Sequence, residues 1–455
     1  MIYGGDGLAR LPADEAAAES GAAKKRSPDG RVTPDRTRGK AVFVPFVLAG
    51  EKIEASIVEE KPGFARARVD AVLESSPHRV EPACPYFGQC GGCHYQQIAY
   101  QQQVEIKKAI LRETLKRTAK IDLPFEIEVH ASPPWNYRNR SRLQVRTAPT
   151  FSAGYFKLAS HDLLAVEQCP ISSPLINRGI AALWQSGGAG KVPQGVSEVE
   201  FFANSDDTQL LVEISCRAEA RRVAVRAWVE DFRSALPEMA GVVAFRQTKA
   251  PMEFERFVSV GADHLIYQTQ RAAYRVSAGA FFQTNRFLTD ELVKIVTQGQ
   301  SGKAAFDLYA GVGLFSTALA CDFDHVVSVE SSQTSSADLA YNLPPNGKAV
   351  QATAGRYLTR TPEGARGGKG TVLPQVAGEP DLAVVDPPRS GLGDPVARQL
   401  ASSGAPRVTY VSCDPATLAR DLGPLLAAGY RLEQVHLVDL FPQTYHLETV
   451  VKLVK

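Results

Sequence analysis

Cys413 stands in Val408-Thr-Tyr-Val-Ser-Cys-Asp-Pro415, directly after a β-branched apolar run that reads as a strand. Asp414-Pro415 breaks that strand and turns the thiol toward the rim of a sheet, where open α/β folds take their ligands. Thiolate is a strong side-chain nucleophile at neutral pH, so a cysteine there suits attack on an electrophilic ring carbon. The plain alternative is a buried, inert thiol, the usual state of a free cysteine. Further on, His446-Leu-Glu448 precedes the last apolar run. Glu448 has the chemistry of a general base, with His446 to orient it or the substrate. Without Cys413, the same acid would read as a solvated residue at a strand start.

A second group of residues suits a cofactor. Asp307-Leu-Tyr309-Ala-Gly311-Val-Gly313 follows a strand and precedes a helical run. Glycines there let the backbone approach a ligand without a Cβ clash. Glu330 closes the next strand, 17 residues past Gly313, at the place where an acid commonly accepts ribose hydroxyls. The third glycine of a pyrophosphate-binding turn is replaced by Ser316. That favours S-adenosylmethionine over a dinucleotide. Asp386, in Asp-Pro-Pro-Arg, ends a third apolar run and would line the same crevice; alone it reads as a strand-terminating turn. Gln283, in Gly279-Ala-Phe-Phe-Gln-Thr-Asn285, has an amide for the cofactor or a base.

The third group is metal-like. Cys84-x5-Cys90-x2-Cys93 is compact and glycine-rich, and Cys169, followed by Pro, is a plausible fourth ligand. Four thiolates fit zinc or a [4Fe–4S] cluster, and the uneven spacing tilts the reading to iron–sulfur. Cys216 and Cys321 have no partners in sequence and read as core.

These residues need a large α/β frame. At 455 residues the chain suits two or three domains, and 44% hydrophobic with 22% charged residues is a globular composition. No run approaches a transmembrane length and no signal peptide is evident, so a cytoplasmic location is expected. Net charge is +2, so any nucleic acid must be held by local patches. Seven cysteines, an odd number, argue against a disulfide framework. Short alternating runs over residues 1–82 suggest a small β-barrel, with 11–38 as an inserted mobile loop. A central α+β domain spans 83–270, with a helix over 99–117. From 271 to 455, runs at Ala304–Leu308, His325–Val329, Asp381–Val385 and Val408–Ser412 alternate with helical stretches, as a parallel sheet requires. A helix is expected over 287–297 and a loop over 361–380. Trp135-Asn-Tyr-Arg-Asn-Arg-Ser-Arg142 mixes cations with rings and suits RNA phosphates and stacked bases.

Taken together, these motifs resemble the bacterial RNA (uracil-C5) methyltransferases of the ribosomal-RNA type, over nearly the whole chain. The resemblance implies an N-terminal TRAM domain, an OB-like RNA-binding barrel, and a C-terminal Rossmann-like methyltransferase domain. It makes Cys84, Cys90, Cys93 and Cys169 ligands of a [4Fe–4S] cluster. Gln283, Tyr309, Glu330 and Asp386 fall where the family binds S-adenosylmethionine, beside the Gly311 and Gly313 turn. Cys413 matches the nucleophile that adds to uracil C6, and Glu448 the base that removes the C5 proton. Leu314 departs from the Asn that many members carry. The expected partner is 23S rRNA, at a single-stranded or flipped uridine, with the protein a monomer and no membrane involved. The alternatives are a transfer-RNA uridine, or an inactive RNA-binding protein.

Overall fold

The computed structural model describes residues 1–10, 39–248, 254–359 and 379–455. The inserted segment 11–38 and most of the 361–380 loop lie outside them. Two compact units divide the chain. One comprises Met1–Gly88, Gly92–Ile110 and Gln443–His446; the other comprises Gln89–Gly91, Leu111–Pro442 and Leu447–Lys455.

The smaller unit carries β1 (Gly7–Arg10), β2 (Ala41–Val44), β3 (Lys52–Glu60) and β4 (Phe64–Glu74), in the order β1-β2-β4-β3. β2 and β4 run parallel and the other pairs antiparallel. Val42 and Val44 on β2, with Ala65 and Ala67 on β4, alternate inward to a small core with Val47. This is consistent with the small barrel expected from the sequence. The helix Tyr100–Thr114 follows the cysteine-rich segment and widens to a π-turn over Leu115–Ala119.

In the larger unit, β5 (Glu128–His130) precedes a seven-stranded sheet of order β12-β11-β10-β9-β6-β7-β8. Its members are β6 (Arg140–Arg146), β7 (Ser152–Phe156), β8 (Leu163–Ala165), β9 (Val196–Ala203), β10 (Leu210–Cys216), β11 (Met239–Gln247) and β12 (Phe254–Gly261). A hairpin of β13 (His264–Gln268) and β14 (Ala273–Ser277) follows. The last sheet comprises β15 (Gly302–Leu308), β16 (Phe323–Glu330), β17 (Gly347–Gln351), β18 (Leu382–Val385), β19 (Arg407–Ser412), β20 (Arg431–Val438) and β21 (Glu448–Val454). Their order is β17-β16-β15-β18-β19-β21-β20, with β5 added at the far edge. The runs Leu382-Ala-Val-Val385 and Val408-Thr-Tyr-Val-Ser412 are buried throughout, as strands covered on both faces must be. The last strand, β21, is antiparallel to both neighbours.

Two expectations need correction. The 135–142 stretch is not a wholly exposed patch: Tyr137, Asn139 and Ser141 are buried, whereas Asn136 and Arg142 are exposed. Tyr137 is fully buried and donates its hydroxyl to Pro442 O at 3.0 Å. Arg140 pairs with Glu200 and, at 2.7 Å, with Glu213; Arg142 reaches Glu200 at 2.5 Å. The compensating acids arrive on β9 and β10, more than fifty residues later, so local sequence does not reveal them. Cys321 is exposed, past the end of the helix Leu314–Leu319, whereas Cys216 is core as expected.

Asp421, on the helix Pro415–Ala427, is buried and ties the turn after β18 to β19. It accepts from the Tyr410 hydroxyl at 2.8 Å, the Leu392 N–H at 2.6 Å and Arg420 Nε at 2.9 Å. Asp421→Ala strands two buried donors and should cost roughly 2–4 kcal/mol in urea unfolding. A loss under about 1 kcal/mol would show that the turn is held by other contacts.

Candidate active site

Chain order and sheet order part company at β15. The chain passes from β15 to β16 and β17 on one side, then returns to place β18 on the other. Such a reversal opens a crevice at the carboxyl ends of the strands. Read across the sheet, the rim carries Glu330 on β16, Asp307 on β15, Asp386 after β18, Cys413 after β19 and Glu448 at the start of β21. Because β21 is antiparallel, its first residue reaches the same rim as the others' last. Ser412 pairs with Thr449, so the next step outward sets Cys413 against Glu448.

Local sequence explains each position. Asp414 caps the helix after β19, accepting from Ala416 and Thr417 N–H at 2.9 Å, with Pro415 in the first turn. That fixes where the strand stops and leaves Cys413 at the end, half-buried. At the end of β15, Tyr309 holds φ +67°, a left-handed conformation that is costly for an aromatic residue. Gly311 and Gly313 follow at +57° and +96°. A Cβ on Gly311 would meet open space, whereas one on Gly313 would meet Leu339 at 2.9 Å. Gly311 therefore lies open to a ligand, and Gly313 is needed for helix packing. Leu314 is buried, and its carbonyl accepts from the Tyr274 hydroxyl, so this residue serves the core.

Glu330 accepts from Gly311 N–H at 2.9 Å and Ser332 N–H at 2.6 Å. Oε1 also accepts from Ser331 Oγ at 3.4 Å, so Oε2 is the oxygen that keeps a lone pair for a ribose hydroxyl. Asp307 is fully buried and accepts from Ser316 Oγ at 2.5 Å, while its Oδ1 has no partner. Burial, with the Glu330 charge adding, pushes Asp307 up to about 7. Burial, then Asp307, pushes Asp386 up to about 7 as well. An orphaned carboxylate oxygen among crowded acids, beside an open glycine turn, fits a nucleoside bearing a positive charge. S-adenosylmethionine is such a molecule.

Glu448 is buried rather than solvated, and burial holds its carboxyl well above the usual range, with Asp386 adding. Burial, then Glu448 and Asp386, pushes the Cys413 thiol up to about 12, against an opposing pull from Arg389. Gln283 is buried in its loop. That loop is held by Arg140, which donates to Ala280 O, and by Asn285, which donates to Leu440 O at 3.0 Å. Gly279 of the loop lies against Thr334, near the Glu330 turn. His446 packs its ring on Tyr445. Sequence reasoning missed Asp307 and Arg389. The spacing of Asp307 to Ser316, across the glycine turn, was the available signal for the first.

None of the seven cysteines is in a disulfide. Cys84 and Cys93 belong to the smaller unit, Cys90 and Cys169 to the larger. Cys84 N–H donates to Gln96 Oε1, and the Cys169 backbone is clamped on both sides by Asn177.

A profile of the tRNA (uracil-5-)-methyltransferase family matches residues 99–455. An uncharacterized RNA methyltransferase of Aquifex aeolicus is 32% identical over 92% of this chain and 94% of its own. The 23S rRNA (uracil(1939)-C(5))-methyltransferase RlmD of Halomonas elongata is 31% identical over 93% of this chain and 87% of its own. Among solved structures, the Pyrococcus abyssi tRNA (uracil-54, C5)-methyltransferase in complex with S-adenosyl-L-homocysteine has a TM-score of 0.69. It covers 95% of this chain and 100% of its own at 22% identity, a likeness of fold.

The raised Cys413 thiol gives a direct chemical expectation. Its alkylation by iodoacetamide, followed by mass spectrometry, should climb roughly tenfold per pH unit through about pH 9, because the thiolate is the reacting form. A plateau near about pH 8.5, the ordinary thiol value, would contradict the burial argument.

Proposed function

The chain belongs to the tRNA (uracil-5-)-methyltransferase family, and on that premise we propose S-adenosylmethionine-dependent methylation of uracil C5 in 23S rRNA through a Cys413–C6 adduct. The observation that carries the reading is the placement of Cys413 against Glu448 at the rim that also holds the acid-lined glycine turn. The 23S target is supported by the ribosomal relative, and transfer RNA is its comparator.

C5 of uracil is a weak nucleophile. Addition of Cys413 sulfur to C6 gives C5 enolate character. S-adenosylmethionine, when bound, supplies the electrophilic methyl carbon. Glu330, with the Gly311 turn, would hold the ribose; Asp307 and Asp386 would meet the cationic part; Gln283 would contribute its amide, and Tyr309 shapes the turn. Glu448 takes the C5 proton, and breaking of the C6–S bond returns Cys413 as thiolate. Both Glu448 and Asp386 have raised proton affinity, so they accept a proton more readily than exposed acids do. Arg389 opposes the neighbouring negative charges and makes the thiolate more accessible. The uridine must leave any stack to reach this rim.

On the same reading, residues 1–82 are a TRAM-like RNA-binding domain, 83–270 an iron–sulfur and RNA domain, and 271–455 the methyltransferase. Cys84, Cys90, Cys93 and Cys169 would hold a [4Fe–4S] cluster. Methyl transfer moves no net electrons, so the cluster's part is structural or RNA-organising. Among the described residues no helix is long and apolar enough to cross a membrane.

Tritium release from RNA labelled at uracil C5 tests the proposal. Wild type should release tritium from unmodified 23S rRNA only with S-adenosylmethionine, and Cys413→Ala should release none. Glu448→Gln should accumulate a methylated covalent RNA adduct on a denaturing gel; loss of activity without an adduct removes Glu448 as base. Preference for tRNA over 23S rRNA would reassign the substrate.

Cofactor affinity should also depend on pH. Asp307 and Asp386, both raised to about 7, must ionise to meet a cation, so binding releases protons and strengthens as pH rises to that value. Calorimetry should show S-adenosylmethionine binding weakened up to about a hundredfold from about pH 8 to about pH 6, about tenfold for each acid, and S-adenosylhomocysteine less affected. Equal pH dependence of the two ligands would contradict a contact to the sulfonium.

A further inference from the structure

A second cluster of ligand-type side chains lies on the last sheet, outside the rim just described. β5 pairs parallel with β20, placing Glu128 opposite His436 and His130 opposite Val438. Alternation along β5 puts Glu128 and His130 on one face, and His436 shares it. The ligand atoms of Glu128, His130 and His436 all lie within 4.8 Å of one another. His130 Nε2 faces His436 Nδ1 at 3.2 Å, and Glu128 Oε2 lies 3.4 Å from the same Nδ1.

The outward-facing nitrogens decide what these inner atoms can do. His130 Nδ1 is 3.1 Å from Glu291 Oε1, on the helix Thr289–Thr297. A carboxylate there can only accept, so Nδ1 carries the hydrogen and Nε2 presents a lone pair inward. His436 Nε2 is 3.4 Å from Gln434 Oε1 on its own strand. With that amide oxygen as acceptor, His436 Nδ1 also presents a lone pair. Two lone pairs and a carboxylate oxygen then converge on one point and call for a cation. Two nitrogens on a tetrahedral zinc ion, each about 2.0–2.1 Å away, are roughly 3.3 Å apart. The spacing here agrees. An outer carboxylate on the far nitrogen of a ligating histidine is the usual way such rings are oriented.

We propose that His130, His436 and Glu128 bind one divalent cation of the zinc class, with Glu291 as the outer acceptor that positions His130. Imidazole with carboxylate suits zinc, cobalt or nickel rather than magnesium or calcium. Three protein ligands leave a fourth position for water. The cation ties a three-residue edge strand to β20 and to the helix that follows the Gln283 loop, so its role is structural. It is distinct from the four-cysteine set in ligand chemistry.

Cobalt(II) titration of the full-length protein tests this, with the metal alone as probe. Wild type should show a saturable cobalt site whose spectrum lacks sulfur-to-metal charge transfer, which separates it from any thiolate site. His130→Gln should abolish that site. Glu128→Gln, at an exposed edge position where folding is little at risk, should weaken it at least about tenfold, and Glu291→Gln by about 10–100-fold. Zinc should raise the Tm of wild type by more than that of His130→Gln. If wild type and His130→Gln give the same nitrogen- and oxygen-ligated cobalt spectrum, or neither gives one, the proposal fails. The cluster is then a hydrogen-bonded histidine pair, with His436 Nδ1 donating to His130.

Discussion

The register of β21 is the constraint on which the candidate site depends. β21 lies between β19 and β20, antiparallel to both, and its side chains alternate between the two covered faces of the sheet. A slip of one residue would turn every side chain to the other face. Glu448 would then leave the rim, and Cys413 would face Leu447 or Thr449 instead. Val450, Val451 and Leu453, all buried, resist such a slip because the whole strand would have to repack. The apolar strand thus sets Cys413 against Glu448.

Acids in this protein fall into two electrostatic classes. Glu200 is deeply buried, yet Arg140 and Arg142 outweigh the desolvation and hold its carboxyl low. Such a group is satisfied and structural. Asp307, Asp386 and Glu448 are also desolvated, but arginine compensation there is limited to Arg389, and all three have raised proton affinity. The rim therefore holds unmet demand for positive charge and a thiol kept protonated by the same crowding. Entry of a cationic ligand relieves both conditions together. Clusters of this kind are a mark of functional sites rather than of stabilising ion pairs.

Much of this was legible in the chain. Continuous apolar runs at 304–308, 382–385 and 408–412 announced a sheet covered on both faces, and the residue after each run marked the rim. Glycine spacing with Glu330 revealed the tight turn at Gly311 and Gly313, because such a turn beside a strand end permits few residue types. What escaped depended on distant partners. Arg140 and Tyr137 looked like surface cations and rings because Glu200, Glu213 and Pro442 are far away in sequence. Likewise β5, three residues long, carries too little periodicity to be assigned to a sheet whose other strands begin about 170 residues later. Cys321 reads as core for want of partners in sequence, whereas its place past a helix end decides its exposure.

The position of β21 also bears on how the chain reaches its fold. β20 precedes β21 in sequence but lies beyond it in the sheet. Until β21 docks, β19 and β20 each present an unpaired apolar edge, separated by a slot one strand wide. Exposed edges of that composition template pairing with other chains. Damage to β21 therefore threatens solubility as well as chemistry. Valine-rich β21, by filling that slot, removes both edges at once.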